Sequence, residues 1–438
     1  MKLNPDQLGA ALRLQEFMLD PAQKFVGVFG YAGTGKSATV AAVLREFPTV
    51  SMAMTAPTHK AVGVLAGMGS KAEALGSTSL IDGKKLASTS WTPEYNTVHS
   101  LLGLRPAKNK TSGEMTFEVN HRAVKVHNFR VLVVDECSML DTKLWTHITD
   151  AAAAYGTKVI CMGDPLQLPP VSDSMELSES FDVESKTLSQ IMRYDGIISD
   201  AVAMPRNALI DNVLDRNMLP GAGGTPESFV ELHKGAPFKD RVMELVRAGE
   251  DVKIIAYTNR TVDALNRVVR RELYGGDVED YLVGERLVAN ESYVVNDSIV
   301  LYNEQQVEVM EAERSPFHSP DFTASVWKLS LKADDGSTCQ VLTVAPEDMG
   351  AYNKALAQLK AKAIKKRNWK DFYALKEQFA WLKPPFACTV HKSQGSSFKY
   401  CAVDYSDIMG TTRYDLNMRA RLLYVAYSRA MNGLIIKH

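Results

Sequence analysis

Short apolar runs that end at polar or glycine-rich corners recur through the first 190 residues and return near the end of the chain. Residues 25–29 (Phe-Val-Gly-Val-Phe), 50–56, 131–134 and 158–162 have the near-continuous apolar character of strands buried on both faces of a parallel sheet. Helical stretches stand between them. The stretch from Ser37 to Phe47 is rich in Ala, Val and Leu and is closed by Pro48; another is capped by Asp141 and ended by Gly156. Alternation of this kind predicts a doubly wound α/β lobe that ends near residues 188–193. The strand pattern restarts at residues 253–257, with a helix through Leu265 and Val269. It resumes at 386–390 and 401–405, followed by a helix over 421–429 and a last strand over 433–437.

Between these halves the period changes. From about Arg286 apolar residues alternate (Val307, Val309; Trp327, Leu329, Leu331), and Asp334-Asp335-Gly336 predicts a hairpin turn before Cys339, Val341 and Thr343. A small β domain is expected there. Residues 353–383 predict helix, with a basic stretch over 360–370 and with Trp369, Phe372, Tyr373 and Phe379 on one face. Such a stripe reads first as core, and Pro384-Pro385 is expected to end the helix. Residues 107–126 are polar around Ser112-Gly113 and predict either a projecting hairpin or a plain surface loop. Residues 220–226, with three glycines, read as a loop.

Composition narrows the picture only slightly. A length of 438 residues allows several domains with sizeable cores, and a net charge of −1 means that any nucleic acid must be met by a local basic groove. No apolar run approaches a membrane span, and Met1 to Asp20 lacks a signal-peptide layout, so a cytoplasmic protein without a membrane partner is expected. The five cysteines are scattered without a Cys-x-x-Cys pair, which predicts reduced thiols and neither a disulfide framework nor a zinc site.

The chemistry centres on Gly30-Tyr31-Ala32-Gly33-Thr34-Gly35-Lys36-Ser37, which matches G-x-x-x-x-G-K-[ST] between a predicted strand and a predicted helix. In such a loop, glycines let backbone N–H groups and a helix N-terminus approach phosphates. Lys36 would reach the β and γ phosphates, and the Ser37 hydroxyl would sit on Mg²⁺. Gln7, opening a helix just upstream, has an amide able to read an adenine edge. Asp135-Glu136 lies at the end of an apolar strand, where one carboxylate can hold Mg²⁺ through water and the other can orient the attacking water. Gln167, after the next strand, is placed to sense the γ phosphate. Pro57-Thr58-His59-Lys60 and Asn96-Thr97-Val98-His99-Ser100 supply hydroxyl, imidazole and amine donors at further strand ends, where ligands of open parallel sheets gather.

The order of these pieces, continued by Thr389-Val390-His391-Lys392-Ser393-Gln394-Gly395-Ser396 and by Tyr424-Val425-Ala426-Tyr427-Ser428-Arg429-Ala430, resembles the successive motifs of superfamily-one helicases over nearly the whole chain. Within them it is similar to the RecD-like branch. Tyr427 and Cys137 depart from the usual pattern. The resemblance implies an α/β fold of two RecA-like lobes, with a β-hairpin insert in the first and an SH3-like β insert plus helical extension in the second. The implied boundaries are 1–190 for the first lobe (hairpin 105–128), 191–285 with 384–438 for the second, and 286–383 for its insert. It implies ATP and Mg²⁺ as cofactors, a role in phage DNA replication or recombination, and the host cytoplasm as location if the chain is phage-encoded. Expected partners are single-stranded and forked double-stranded DNA, with single-strand-binding protein or replisome components as further candidates, and the protein itself is expected to be a monomer.

Carried onto this chain, the pattern gives Lys36, Glu136, Gln167, Arg193 and Arg429 catalytic roles, and Ser37 and Asp135 the metal. ATP would be held by Gln7, Gly30, Gly33, Thr34, Gly35, Lys36, Ser37 and Gly395. DNA would be met by Pro57, Thr58, His59, Lys60, Thr97, His99, Phe117, Asn259, His391 and Ser393. The branch implies 5′→3′ movement, and the inserts agree: about 27 residues separate Leu102 from Arg130, enough for a hairpin but not for a multi-helix subdomain. A P-loop kinase or GTPase would explain the phosphate loop but not His391 to Ser396 or the arginine pair. A non-catalytic DNA-binding protein on the same fold would not require Lys36, Asp135, Glu136, Gln167 and Arg429 together.

Overall fold

The computed structural model describes residues 3–73, 79, 81, 92–108, 115–170, 185–194, 196–276, 278–295 and 298–438. Ser112-Gly113, the expected hairpin turn, lies outside them.

The first sheet is six-stranded and wholly parallel, in the spatial order Glu94–Thr97, Met52–Ala56, Val131–Val134, Lys158–Gly163, Phe25–Gly30, Ser185–Leu188. Its central strands read as continuous apolar runs because both faces are covered. Val131 and Val133 face one core, with Met54, Ile160 and the helices Pro5–Leu19 and Lys36–Leu44. Leu132 and Val134 face the other, with Ile148 on the helix Thr142–Tyr155. This is the period-two alternation of a strand turned into two hydrophobic layers. Full burial of such a Val, Leu or Ile side chain contributes about 1.5–3 kcal/mol.

The second sheet runs Ala387–Thr389, Val252–Ala256, Phe398–Asp404, Ala430–Lys437, Ser228–His233, Gly223–Thr225. It is parallel from Val252–Ala256 to Ser228–His233 and antiparallel at the last strand. Residues 220–226 are therefore not only a loop. Gly223–Thr225 pairs with Ser228–Val230 as an edge hairpin, formed through backbone bonds that need no apolar signature. The core of this sheet gathers the helices Gly196–Ile210 and Leu416–Tyr427, and it extends to Ala32 and Leu168 of the first lobe.

Compactness divides the chain into Met1–Leu104, Val119–Val262 and Cys388–His438, which hold both parallel sheets, and Arg105–Glu118 with Asp263–Ala387. The second unit has an antiparallel sheet in the order Thr338–Val344, Phe322–Ala333, Gln306–Ser319, Arg286–Ala289, Leu382–Lys383. The turn at Asp334-Asp335-Gly336 is present, with Gly336 N–H donating to Ala333 O at 2.9 Å. Arg105–Glu118 contains most of the hairpin strands Leu104–Lys108 and Met115–Val119.

The single helix expected over 353–383 is instead a pair, Met349–Lys366 and Lys370–Lys376. Arg367 leaves helical space at φ 50°, and the Asn368 side chain accepts from Lys370 N–H at 3.1 Å, restarting the chain in a new direction. Leu382–Lys383 then joins the sheet edge, so Pro384-Pro385 follows a strand and ends no helix. The aromatic stripe is core, as expected. Phe372, Tyr373 and Phe379 pack with Phe322 and Tyr352, and Trp369 meets Phe372 edge-on at 5.4 Å.

Candidate nucleotide and nucleic-acid site

Strand Phe25–Gly30 and helix Lys36–Leu44 hold the phosphate loop, and Gly33 and Gly35 make its shape possible. Both have left-handed backbones (φ 82° and 83°). A Cβ at Gly33 would lie 2.8 Å from Arg193 Cβ, and one at Gly35 would lie 2.7 Å from Gln7 Nε2. Lys36 Nζ folds back onto Gly30 O (2.8 Å) and Tyr31 O (3.0 Å), the carbonyls of its own loop.

Gln7 is part of the loop's support. Its N–H donates to Asn4 Oδ1 at 2.9 Å, its Oε1 accepts from Asn4 N–H at 3.1 Å, and its Nε2 donates to Thr34 O at 3.1 Å. An adenine edge would share an amide already committed at both ends.

Asp135 and Glu136 leave the end of strand Val131–Val134 and face the loop. Ser37 Oγ donates to Asp135 Oδ2 at 2.9 Å. A hydroxyl and a carboxylate oxygen paired in this way suit a hard divalent cation that keeps waters and phosphate oxygens as its other ligands. Among the described residues no group of three or more His, Cys, Asp and Glu is arranged as an all-protein metal cage. Burial raises the Asp135 pKa, against the Glu136 N–H, Lys36, Ser37 and Arg193, which favour its charged form. Burial and then the Asp135 charge raise Glu136 to about 6, while Arg429 and Lys36 act in the opposite sense. Glu136 also has a left-handed backbone at φ 50°, which for a residue with a Cβ costs about 1–2 kcal/mol. Strain of this kind collects where a side chain must be aimed.

Two arginines on different elements act electrostatically on the same carboxylate without pairing with it. Arg193 follows strand Ser185–Leu188 and is fixed by its neighbours, Met192 N–H on Gly33 O (2.7 Å) and Tyr194 Oη on Ala32 O (3.1 Å). Its side chain is open to solvent, yet surrounding protein and the nearby Arg429 lower its pKa, with Glu136 opposing them. Arg429 is buried just after helix Leu416–Tyr427. It donates to Val425 O (3.0 Å), Ser396 O (3.1 Å) and Ser428 Oγ (2.8 Å).

The sequence reading missed the residues that tie these parts together. Tyr424 is fully buried on the second lobe's helix, and its hydroxyl accepts from Ala32 N–H (2.8 Å) and donates to Asp164 Oδ2 (2.6 Å). Arg421, one turn earlier, donates to Pro165 O (2.8 Å) and Gln167 O (2.9 Å). Gln394 Nε2 lies 3.5 Å from Gln167 Oε1. The loop bearing Gln167 is thereby gripped by the helix that leads to Arg429. Tyr424→Phe should keep the ring's packing but leave Ala32 N–H and Asp164 short of a partner. The expected loss is about 1–3 kcal/mol of unfolding free energy in a urea titration, and parental stability in that titration would contradict it. The two departures from the helicase pattern are core residues. Tyr427 donates to Met218 O at 3.3 Å, and buried Cys137 fits beneath Gly163, where a Cβ would come within 2.7 Å of its Sγ.

The expected DNA contacts fall into a repeated device. At four strand ends a threonine Oγ1 accepts from a backbone N–H three residues on: Thr58 from Ala61, Thr97 from Ser100, Thr258 from Thr261 and Thr389 from Lys392. Each is followed within two residues by a polar head, namely His59, His99, Asn259 and His391. The sheets repeat the arrangement. Glu94–Thr97 neighbours Met52–Ala56 in the first, and Ala387–Thr389 neighbours Val252–Ala256 in the second. Asp407, also missed, braces the Thr258 corner by accepting from Tyr257 N–H, Thr258 N–H, Thr258 Oγ1 and Thr261 Oγ1 at 2.7–3.0 Å.

Pro57, His59 and Lys60 stand beside Thr58 at the first of these corners, and Lys60 Nζ lies 5.6 Å over the Phe398 ring. Ser393 does not belong with the others. It is fully buried with its hydroxyl on Val390 O at 2.7 Å, so it braces the short helix Val390–Ser393. Phe117 is exposed, with 53% of its surface accessible.

Residues 2–209 match the model of an AAA domain family, and residues 385–436 match the UvrD-like helicase C-terminal domain. The chain is 26% identical to the ATP-dependent DNA helicase dda of Enterobacteria phage T4, over 92% of both chains. It is 24% identical to an uncharacterised protein of Acanthamoeba polyphaga mimivirus, over 98% of this chain and 99% of that one. Among solved structures, the Pif1 helicase from Candida albicans shares the fold with a TM-score of 0.50 and 18% identity, covering 100% of this chain and 94% of that one. Two largely parallel sheets, a phosphate loop and a buried arginine, Arg429, at the end of a second-lobe helix accompany these matches, which together support a superfamily-one helicase. Within that class it is similar to the Dda helicase along nearly its full length.

Proposed function

We infer that the protein is an ATP-dependent DNA helicase that moves 5′→3′ along single-stranded DNA and unwinds duplex. The observation that carries this reading is the convergence of Lys36, Glu136, Arg193 and Arg429 from two lobes on one cleft, beside a paired set of Thr–His and Thr–Asn corners. ATP would sit on the phosphate loop, its triphosphate drawing Lys36 off the loop carbonyls. Mg²⁺ held through Ser37 and Asp135 would neutralise charge on the β and γ oxygens. Glu136 orients water for in-line attack on the γ-phosphorus. The bond to the β–γ bridging oxygen breaks, and ADP and phosphate leave. Arg193 and Arg429 stabilise charge on the transferring phosphoryl only when the cleft is shut, so nucleotide state sets the separation of the lobes. The two sets of strand-end corners would then hold the DNA backbone alternately.

The test is a duplex with one single-stranded tail. ATP-dependent separation is expected with a 5′ tail and not with a 3′ tail, and the reverse would overturn the direction. If the hairpin that carries Phe117 is the wedge, Phe117→Ala should slow unwinding more than it slows ATPase on single strands. Equal losses would assign Phe117 to folding.

The corner histidines give a pH prediction. Burial holds His99 and His391 below the ordinary histidine pKa of about 6.5, and burial together with His99 does the same for His59. All three are therefore neutral donors near pH 7. Phosphate favours the protonated ring, so affinity for single strands should rise as pH falls, and the rise should begin only below about 6.5. Fluorescence anisotropy across pH 5–8 reads this directly, and a rise already complete at pH 7 would contradict it.

A further inference from the structure

We propose that the tip of the helical pair in the second compact unit, residues 360–370, is a docking surface for the phosphate backbone of duplex DNA. The chain's net charge is −1, yet this segment reads Lys-Ala-Lys-Ala-Ile-Lys-Lys-Arg-Asn-Trp-Lys, with six cations and no anion. All six cations are exposed, and among the described residues their only ion pair is Lys362 with Asp371 at 3.7 Å. A helix C-terminus attracts cations over its last turn, which accounts for Lys365 and Lys366 but not for Lys360, Lys362 or Lys370.

A second observation is independent of charge. Arg367 occupies the left-handed C-cap at φ 50° and ψ 37°, a position where glycine is the default because it has no Cβ. The chain keeps a guanidinium there at the expense of backbone comfort, and that places a further cation at the turn. The mount beneath is rigid. Tyr352, Ala355, Leu359 and Ala363 bury one face of the helix against Phe322, Phe372, Tyr373 and Phe379. The helical part, residues 360–366, spreads its cations along roughly 9 Å of rise, farther than one phosphate. A fixed, strongly cationic, nearly anion-free surface complements a duplex backbone. The hairpin residues Arg105–Glu118 belong to the same compact unit, so duplex would be the neighbour of this unit. This inference rests on the DNA-helicase reading.

The experiment uses the full chain. Lys360, Lys365, Lys366 and Lys370 are replaced together by Gln, and Arg367→Gly is made separately. Binding to a forked DNA and to its isolated single strand is titrated against salt. For the fork, the slope of log affinity on log salt should become shallower by about 0.9 for each phosphate that the variant no longer neutralises. Single-strand affinity and single-strand-stimulated ATPase should stay at parental values. Arg367→Gly should melt no lower than the parent and still bind the fork more weakly, which a capping role would not produce. An unchanged fork slope overturns the proposal, as does an equal change on the single strand. Loss of binding to a polyglutamate peptide with the fork slope intact also overturns it, in favour of an acidic protein tail. A parent chain without DNA-stimulated ATPase overturns the helicase reading and this proposal with it.

Discussion

Arg429→Ala and Arg193→Ala are each expected to lower DNA-stimulated ATP hydrolysis by on the order of 10³-fold or more, as removal of an arginine finger does, while DNA binding without nucleotide persists. The two residues come from distant parts of the chain yet both feel the charge of Glu136. Their settings differ, and so do the controls. Arg429 is buried with three hydrogen bonds inside its own lobe, so alanine also strips partners from Val425 O and Ser396 O. Arg429→Lys separates the effects, since it keeps the charge and loses the fork geometry. It should fold and still lose most of the rate. Arg193 is solvent-open, and no hydrogen bond or ion pair holds its guanidinium among the described residues. Arg193→Ala should therefore leave the melting temperature nearly unchanged. Near-parental turnover in either alanine variant would remove that arginine from the cleft.

Lys36→Ala is expected to abolish hydrolysis, and Glu136→Gln to stop turnover while ATP binding remains largely intact. Lys36 is held by two loop carbonyls that a triphosphate would outcompete, so the role proposed for it is binding and charge stabilisation. Glu136 stands on a strained backbone beside Asp135, with Gly395 of the second lobe close by: a Cβ at Gly395 would lie 3.8 Å from Glu136 Oε1. Glutamine keeps the shape but cannot take a proton from water. Single-turnover hydrolysis and nucleotide binding by fluorescence read the two functions apart. Parental hydrolysis by Glu136→Gln would show that another group orients the water.

The parallel sheets were legible because strands buried on both faces write themselves as apolar runs, as at Val131–Val134, and because each ends in a chemically unusual corner. The phosphate loop, Asp135-Glu136 and the threonine–histidine corners were found for that second reason. Tyr424, Arg421 and Asp407 were not. Their roles depend on partners 150 to 392 residues away, and nothing local distinguishes a buried tyrosine that packs from one that bridges Ala32 and Asp164. Ser393 shows the opposite failure, a polar residue inside a functional motif whose hydroxyl is spent on its own helix. The break at Arg367 was hidden because helical periodicity continues across it, and only the left-handed backbone reveals the corner.

The most direct test of the central claim is the rate of ATP hydrolysis by the intact chain with and without single-stranded DNA. A cleft that shuts only when both lobes grip a strand predicts slow hydrolysis alone and strong stimulation by DNA that saturates with strand concentration. A rate that is the same in both conditions would contradict DNA-coupled translocation and return the phosphate loop to an uncoupled NTPase.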